Sequence, residues 1–277
     1  MPDPRFICTL PGFPRKLMSS LAGGLARLTI PKPLRRPLWK SIGKRLGVDP
    51  KTLPEDLRTF STFLDLFTRP LPKGCRPIPE TPGWLSPSDG ILVERVALCS
   101  EGTFLMKGTP YSVSEMLPGV DFSKLQGYQA LQIYLAPRDY HRYHAPCDLR
   151  IESAVTCPGD LLPVDPSLVR RRMRVLSKNR RILLHCRDSE DQWIGLLFVG
   201  ALNVGQMRFC FDKTLGLSPL APGSRTYHPA HTLSAGDELG RFEFGSTVVV
   251  FAPPHLKCQL NLGDSCLARS TLLMAKE

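Results

Sequence analysis

From about Trp84 onward the apolar residues fall in short, nearly continuous runs: Ile91-Leu92-Val93, Leu131 to Leu135, Ile182-Leu183-Leu184, Ile194 to Val199, and Val248 to Phe251. Gly, Pro, Asp and Asn punctuate them. Such runs predict strands, and a β-rich domain with few long helices. One short helix is predicted inside it, over Ser112 to Leu117. Earlier in the chain the period is different. Leu17, Leu21, Leu25 and Leu28 recur at helical spacing, with Arg15, Lys16 and Arg27 off that stripe. After Pro31, Pro33 and Pro37, the residues Trp39, Ile42 and Leu46 again share one face. A third helix is predicted beyond Thr52, because Thr52 and Glu55 make a capping-box pattern with Pro54 in the first turn. Leu57, Phe60, Phe63, Leu64 and Phe67 would form its core-facing side. Pro70, Pro72, Pro77 and Pro79 then mark a boundary. The expectation is an α+β protein, with a helical region over residues 1–70 and a mainly antiparallel β domain over residues 71–277.

Composition adds a location for the charge. The 277 residues are 42% hydrophobic and 22% charged, enough for one sizeable core plus an appendage. The formal net charge is +11, and no acidic residue falls between Arg5 and Val48. Charge of this size suits nucleic acid or an anionic membrane. Basic helices with Leu and Trp on their apolar side fit a membrane interface, whereas most amphipathic helices dock on their own core. The unbroken positive charge favours the membrane, and nucleic acid is not expected as a partner. Arg170-Arg171-Arg172 and Arg174 form a second basic cluster suited to a solvated loop or anionic headgroups. No apolar run reaches the roughly 20 residues that span a bilayer, and Pro11, Pro14 and Arg27 break the pattern of a signal peptide. The nine cysteines are scattered, without a Cys-x-x-Cys pair, which speaks against a disulfide framework or zinc finger and for reduced thiols in a cytosolic compartment.

Three polar turns beside apolar runs supply an acid, a base and a nucleophile. They are Ser86-Pro87-Ser88-Asp89-Gly90, Asp139-Tyr140-His141-Arg142-Tyr143-His144, and Phe244-Gly245-Ser246-Thr247. Gly245 lacks a Cβ, so its carbonyl is open to the hydroxyl one residue on. Asp89, His144 and Ser246 could serve a Ser-His-Asp hydrolase, self-cleavage at Gly245–Ser246, or nothing at all. A hydrolase would want a Gly-x-Ser-x-Gly elbow entering a helix, but Ser246 leads into a β-branched run. His141 and His144 beside Cys147 are too loosely spaced for a metal site, and no metal is expected. His228 and His231 are expected in a surface loop, and Tyr140 and Tyr143 as packing residues.

These segments resemble the phosphatidylserine decarboxylase family. The resemblance is carried by Ser86 to Gly90, by Tyr134 to Pro146 with its Arg138-Asp139-Tyr140-His141-Arg142-Tyr143-His144 centre, and by Gly236 to Thr247. Smaller matches at Phe67 to Leu71, Arg76-Pro77-Ile78, Pro158 to Leu161, Asn179-Arg180-Arg181 and Val199-Gly200-Ala201 keep the same order. Phe244 stands where leucine or glycine is often found, and Arg180 where an acidic residue is common. The resemblance implies a self-made cofactor. Ser246 would attack the Gly245 carbonyl, the ester would eliminate to dehydroalanine, and hydrolysis would leave a pyruvoyl group with loss of ammonia. The products would be a large chain ending at Gly245 and a small chain of residues 246–277. In that scheme His144 is the base, Asp89 orients it by the logic of the serine-protease triad, and Thr247 assists the oxyanion or ester. The substrate amine of phosphatidylserine would form a Schiff base with the pyruvoyl carbonyl, CO2 would leave, and His141 would return a proton. The resemblance also implies peripheral attachment to an anionic membrane on the cytoplasmic side of the inner membrane, and a homodimer. A same-fold decarboxylase of a soluble substrate and a non-catalytic lipid-binding relative are the competing readings.

Overall fold

The five apolar runs of the sequence become five adjacent strands. The computed structural model describes residues 14–80, 83–98, 103–106, 109–121, 125–165, 174–201, 206–217, 220–244 and 246–276. Gly245 and the basic run at residues 170–172 therefore lie outside the described residues. In chain order come α1 (Arg15–Ala26), α2 (Lys32–Leu46) and α3 (Phe63–Phe67), then β1 (Trp84–Leu85), β2 (Gly90–Ala97), β3 (Thr103–Met106) and β4 (Thr109–Ser112). Next are α4 (Val113–Met116), β5 (Gln129–Leu135), β6 (Arg142–His144), β7 (Leu149–Cys157), α5 (Val175–Lys178), β8 (Arg181–Arg187), β9 (Trp193–Gly200) and β10 (Gln206–Phe209). The chain closes with β11 (Gly223–Leu233), β12 (Glu238–Glu243), β13 (Ser246–Ala252), β14 (Leu256–Cys258), β15 (Ser265–Cys266) and β16 (Thr271–Ala275).

Eight strands form the main sheet, in the order β11-β7-β8-β9-β13-β5-β2-β15. Every neighbouring pair in it is antiparallel. The runs are continuous rather than alternating because both faces are covered. Val248 and Val250 point into one core cluster, with Tyr143, Met207 and Phe242 of the small sheet β10-β12-β6. Val249 and Phe251 point into the other, with Met116 of α4, Leu117 just after it, and Val175 and Leu176 of α5. The predicted short helix over Ser112 to Leu117 is α4. A third sheet, β1-β16-β14, closes one end.

The N-terminal helices divide their apolar stripes between two surroundings. Trp39 of α2 is 1% exposed, and its Nε1–H donates to the Phe60 carbonyl at 3.0 Å. It packs with Leu66 and partly buried Ile42, so the Trp39 face belongs to the protein's own core and not to a membrane interface. The α1 stripe does the opposite. Leu17, Leu21, Leu25 and Leu28 are 60%, 56%, 69% and 58% exposed, while Ser19, Gly23 and Ala26 turn inward.

Two local expectations are corrected. The helix predicted from Thr52 starts at Phe63 instead. Its capping box is Thr62 with Asp65: Thr62 Oγ1 accepts from the Asp65 N–H at 3.1 Å, and Asp65 Oδ2 accepts from the Thr62 N–H at 3.0 Å. Thr52 is buried in a 3-10 turn, where its hydroxyl donates to the Asp49 carbonyl and accepts from Arg69. His228 and His231 sit in β11, an edge strand, at the register break between Thr226 and His231, rather than in a loop.

Asn179 ties the region beside β13 together. It is fully buried, its Oδ1 accepts from the Leu162 N–H at 2.9 Å, and its Nδ2 donates to the carbonyls of Leu162 and Gly200, both at 2.8 Å. Gly200 is the β9 partner of Ser246. Asn179→Ala leaves these buried backbone groups unpaired and should lower stability by about 1–3 kcal/mol, read as an earlier urea midpoint at unchanged slope.

Candidate active site

The three candidate segments are brought together by backbone pairing. The His144 N–H donates to the Pro87 carbonyl at 2.8 Å, joining the histidine segment to Ser86–Gly90. His144 closes β6, which pairs with β12, and Glu238 of β12 faces His144. β12 then leads through Phe244 to Ser246, the first residue of β13. Ser246 pairs with Leu135 on one side and Gly200 on the other. Gly90 permits the close seat of the Asp89 turn: a Cβ there would lie 2.4 Å from the Tyr134 carbonyl oxygen.

His144 is buried, and both of its ring nitrogens are held. Nδ1 lies 2.9 Å from the Gly236 carbonyl, and Nε2 lies 3.0 Å from the Tyr140 hydroxyl. A carbonyl only accepts, so Nδ1 carries the proton and Nε2 presents its lone pair to Tyr140 O–H. Gly236 reaches this position with φ of +82°, a left-handed conformation that glycine adopts without a Cβ penalty. The same carbonyl accepts from Arg269 Nε at 2.9 Å. Burial, then the Arg269 charge, lower the His144 pKa to about 4. Burial pushes the Tyr140 phenol up, so it stays a donor.

His141 is fully buried beneath Phe67 of α3, with ring centroids 4.0 Å apart. Its Nδ1 donates to the Asp139 carbonyl at 2.9 Å, by the same reasoning about the tautomer. Its Nε2 has no hydrogen-bond partner among the described residues. Burial lowers its pKa to about 3. The two histidines thus point to different partners and do not converge as a ligand pair. Thr247, fully buried on β13, also has an Oγ1 without a partner among the described residues.

Asp89 is buried and engaged elsewhere. Its Oδ1 accepts from the Ala268 N–H at 2.7 Å, and its Oδ2 accepts from Arg76 Nη2 at 3.0 Å. Among the described residues no hydrogen bond joins Asp89 to His144. The group that orients the imidazole is the Gly236 carbonyl.

Tyr140, Gly236, Arg76 and Phe244 were named in the sequence reading but given no role in the site. Tyr140 was expected to pack, and its position four residues before His144 was the available signal. Tyr143 does pack, its ring 4.8 Å from Phe242 and its hydroxyl on the Arg208 carbonyl. Phe244 rests on Phe67 at 4.9 Å, the ring that also covers His141.

Comparison with known proteins places the sequence in a family. The profile described as phosphatidylserine decarboxylase matches residues 63–274, which contain all of the segments above. A phosphatidylserine decarboxylase proenzyme of Helicobacter pylori is 34% identical over 237 residues, covering 84% of this chain and 88% of that protein. One from Halorhodospira halophila is 37% identical over 246 residues, covering 87% and 82%. One from Myxococcus xanthus is 31% identical over 273 residues and covers 97% of both chains. With a profile match over most of its length and relatives of this identity and coverage, the chain belongs to the phosphatidylserine decarboxylase family.

Proposed function

We propose that this protein is a self-processing enzyme that converts phosphatidylserine to phosphatidylethanolamine and CO2, a step of phospholipid biosynthesis, from the cytosolic face of an inner membrane. The observation that carries this reading is the meeting of the three family segments, with buried His144 beside the Pro87 carbonyl and β12 running into Ser246.

Maturation needs a base for the Ser246 hydroxyl, which is a poor nucleophile while protonated. Neutral His144 is that base, and the Tyr140 hydroxyl on Nε2 is the group through which the proton arrives. The Ser246 oxygen adds to the Gly245 carbonyl carbon, and the proton passes to the departing amide nitrogen, so the peptide bond becomes an ester. Loss of the Ser246 α-proton expels the Gly245 carboxylate and leaves a dehydroalanine. Water then replaces the nitrogen, releasing ammonia and leaving a ketone at residue 246. The Gly236 carbonyl and Tyr140 hold the imidazole throughout, while Asp89 and Arg76 fix the Ser86–Gly90 segment against Ala268.

The residues present fit a pyruvoyl group at position 246. A buried polar atom without a partner costs about 1–3 kcal/mol. Thr247 Oγ1 and His141 Nε2 are two such atoms, one a donor and one an acceptor. When formed, the group would supply a carbonyl that condenses with the substrate's amine and draws in the electrons released as CO2 leaves. His141 holds a lone pair at Nε2, so the proton it gives to the substrate's α-carbon is one it would first take from the substrate's ammonium group as that amine condenses. Phe67 covers that ring and keeps water from it.

The membrane reading is supported by the outward stripe of α1, extended by Leu34 and Leu38 on α2. Around it no acidic residue occurs between Arg5 and Val48, and each Lys or Arg near an anionic leaflet contributes about 1 kcal/mol. No helix among the described residues is long and apolar enough to cross a bilayer.

Four outcomes test the reading. The parent protein should resolve into a large chain ending at Gly245 and a small chain lacking the ordinary serine amine by intact mass. Ser246→Ala should remain one chain and release no CO2 from lipid, and CO2 release from that variant would refute the mechanism. Because burial depresses the His144 pKa, its base form persists well below the usual histidine range. Scission of refolded precursor should hold its rate from pH 7 to about 5 and fall tenfold per unit below about 4. A titration near pH 6.5 would remove His144 from that role. Leu21→Asp with Leu25→Asp should abolish co-flotation with phosphatidylserine-containing vesicles, and unchanged flotation would locate the contact elsewhere.

A further inference from the structure

The two residues that lead into Gly245 are gripped by the N-terminal helices. Glu243 ends β12 with a side chain only 5% exposed, and its carboxylate accepts from two guanidinium groups. One is Arg208 of β10, with Nε at 3.3 Å. The other is Arg27, just beyond the C-terminal end of α1, whose Nη2 donates to Glu243 Oε2. Arg27 Nη1 donates at the same time to the Gly23 carbonyl at 2.9 Å. The guanidinium is therefore pinned to its own helix and to the end of the strand, across 216 positions of sequence.

Phe244 follows with a φ of +88°. A residue with a Cβ in that left-handed region bears a cost of roughly 1–3 kcal/mol and stays there only where its surroundings over-determine it. The surroundings here are Val164 and Ala201 of the β domain on one hand and α3 on the other: the Phe244 ring stacks on Phe63 at 5.9 Å and 23° and lies 4.9 Å from Phe67. The capping box of Thr62 and Asp65 fixes α3 in turn. Two successive residues of one turn are thus held by two different helices, one by charge and one by stacking.

We propose that the N-terminal helices are a maturation device: Arg27 on Glu243 and Phe63 on Phe244 hold the strained turn that presents the Gly245–Ser246 bond for scission. This rests on the self-scission reading given above. Arg27 and Phe63 act as positioning residues, because neither touches the reacting atoms. Without them Phe244 relaxes toward negative φ. The helices add their contacts to those the β domain makes itself, through Arg208 on Glu243 and through Val164 and Ala201 beside Phe244. The helix that exposes its leucines outward therefore also sets the geometry of the cut.

Full-length protein from cell-free synthesis, sampled over time on a denaturing gel, tests this. Arg27→Met should slow scission about tenfold, with Arg27→Lys recovering most of the rate. Phe63→Ala should slow it by a similar factor, with folding of each variant confirmed by its thermal transition. Glycine reaches positive φ without support. Adding Arg27→Met to Phe244→Gly should therefore slow scission by less than about twofold. Scission of Arg27→Met and Phe63→Ala at the parent rate would overturn the proposal. So would equal slowing by Arg27→Met in the parent and in the Phe244→Gly variant. Should Phe244→Gly not fold, the Phe63→Ala rate decides alone. Failure of the self-scission reading is distinguishable, since the parent would then stay uncut whatever stands at position 27, and both ideas would fall.

Discussion

The molecule is organised around one strand that has no free side. β13 is paired along both edges, with β5 and β9, and covered on both faces by separate core clusters. A strand so enclosed cannot shift register without moving every side chain to the opposite face. The residue at its head is therefore placed by the packing of the whole sheet. Gly200, its partner on β9, has its carbonyl held by Asn179, and elsewhere in the site the Pro87 carbonyl is held by His144 and the Gly236 carbonyl by His144 and Arg269.

A second constraint follows from burial. Both histidines are removed from water, and each spends its Nδ1 proton on a backbone carbonyl. Each imidazole is thereby fixed in one tautomer with its lone pair at Nε2. Desolvation keeps both rings neutral at physiological pH. The two differ in what Nε2 meets: a phenol for His144, and no partner among the described residues for His141. That difference separates a ring whose lone pair is already bonded from one whose lone pair is not.

Much of this was legible in the sequence, for definite reasons. The apolar runs at Leu131 to Leu135, Ile194 to Val199 and Val248 to Phe251 were readable because a sheet buried on both faces needs continuous apolar sequence. The α1 stripe was readable as a period, but its direction was not. Periodicity shows that leucines share a face and says nothing of which way the face looks, and the same pattern on α2 turned inward at Trp39. Thr52-x-x-Glu55 and Thr62-x-x-Asp65 are equally good capping patterns, and the choice fell to tertiary contacts, since Arg69 takes the Thr52 hydroxyl. The histidines and the serine stood out by residue type. Their orienting groups did not, because a backbone carbonyl 92 positions away carries no signature in the amino-acid code.

The C-terminal segment has a bearing on what a break before Ser246 would do. Beyond that residue the chain supplies β13 in the middle of the main sheet, β15 at its edge, and β16 between β1 and β14. Ala268 is bonded to Asp89, and Arg269 to Gly236. The piece is interleaved with the remainder rather than appended to it. Covalent continuity at that point is therefore dispensable to cohesion, and a nick would alter a chemical end group while leaving the two polypeptides locked as one body.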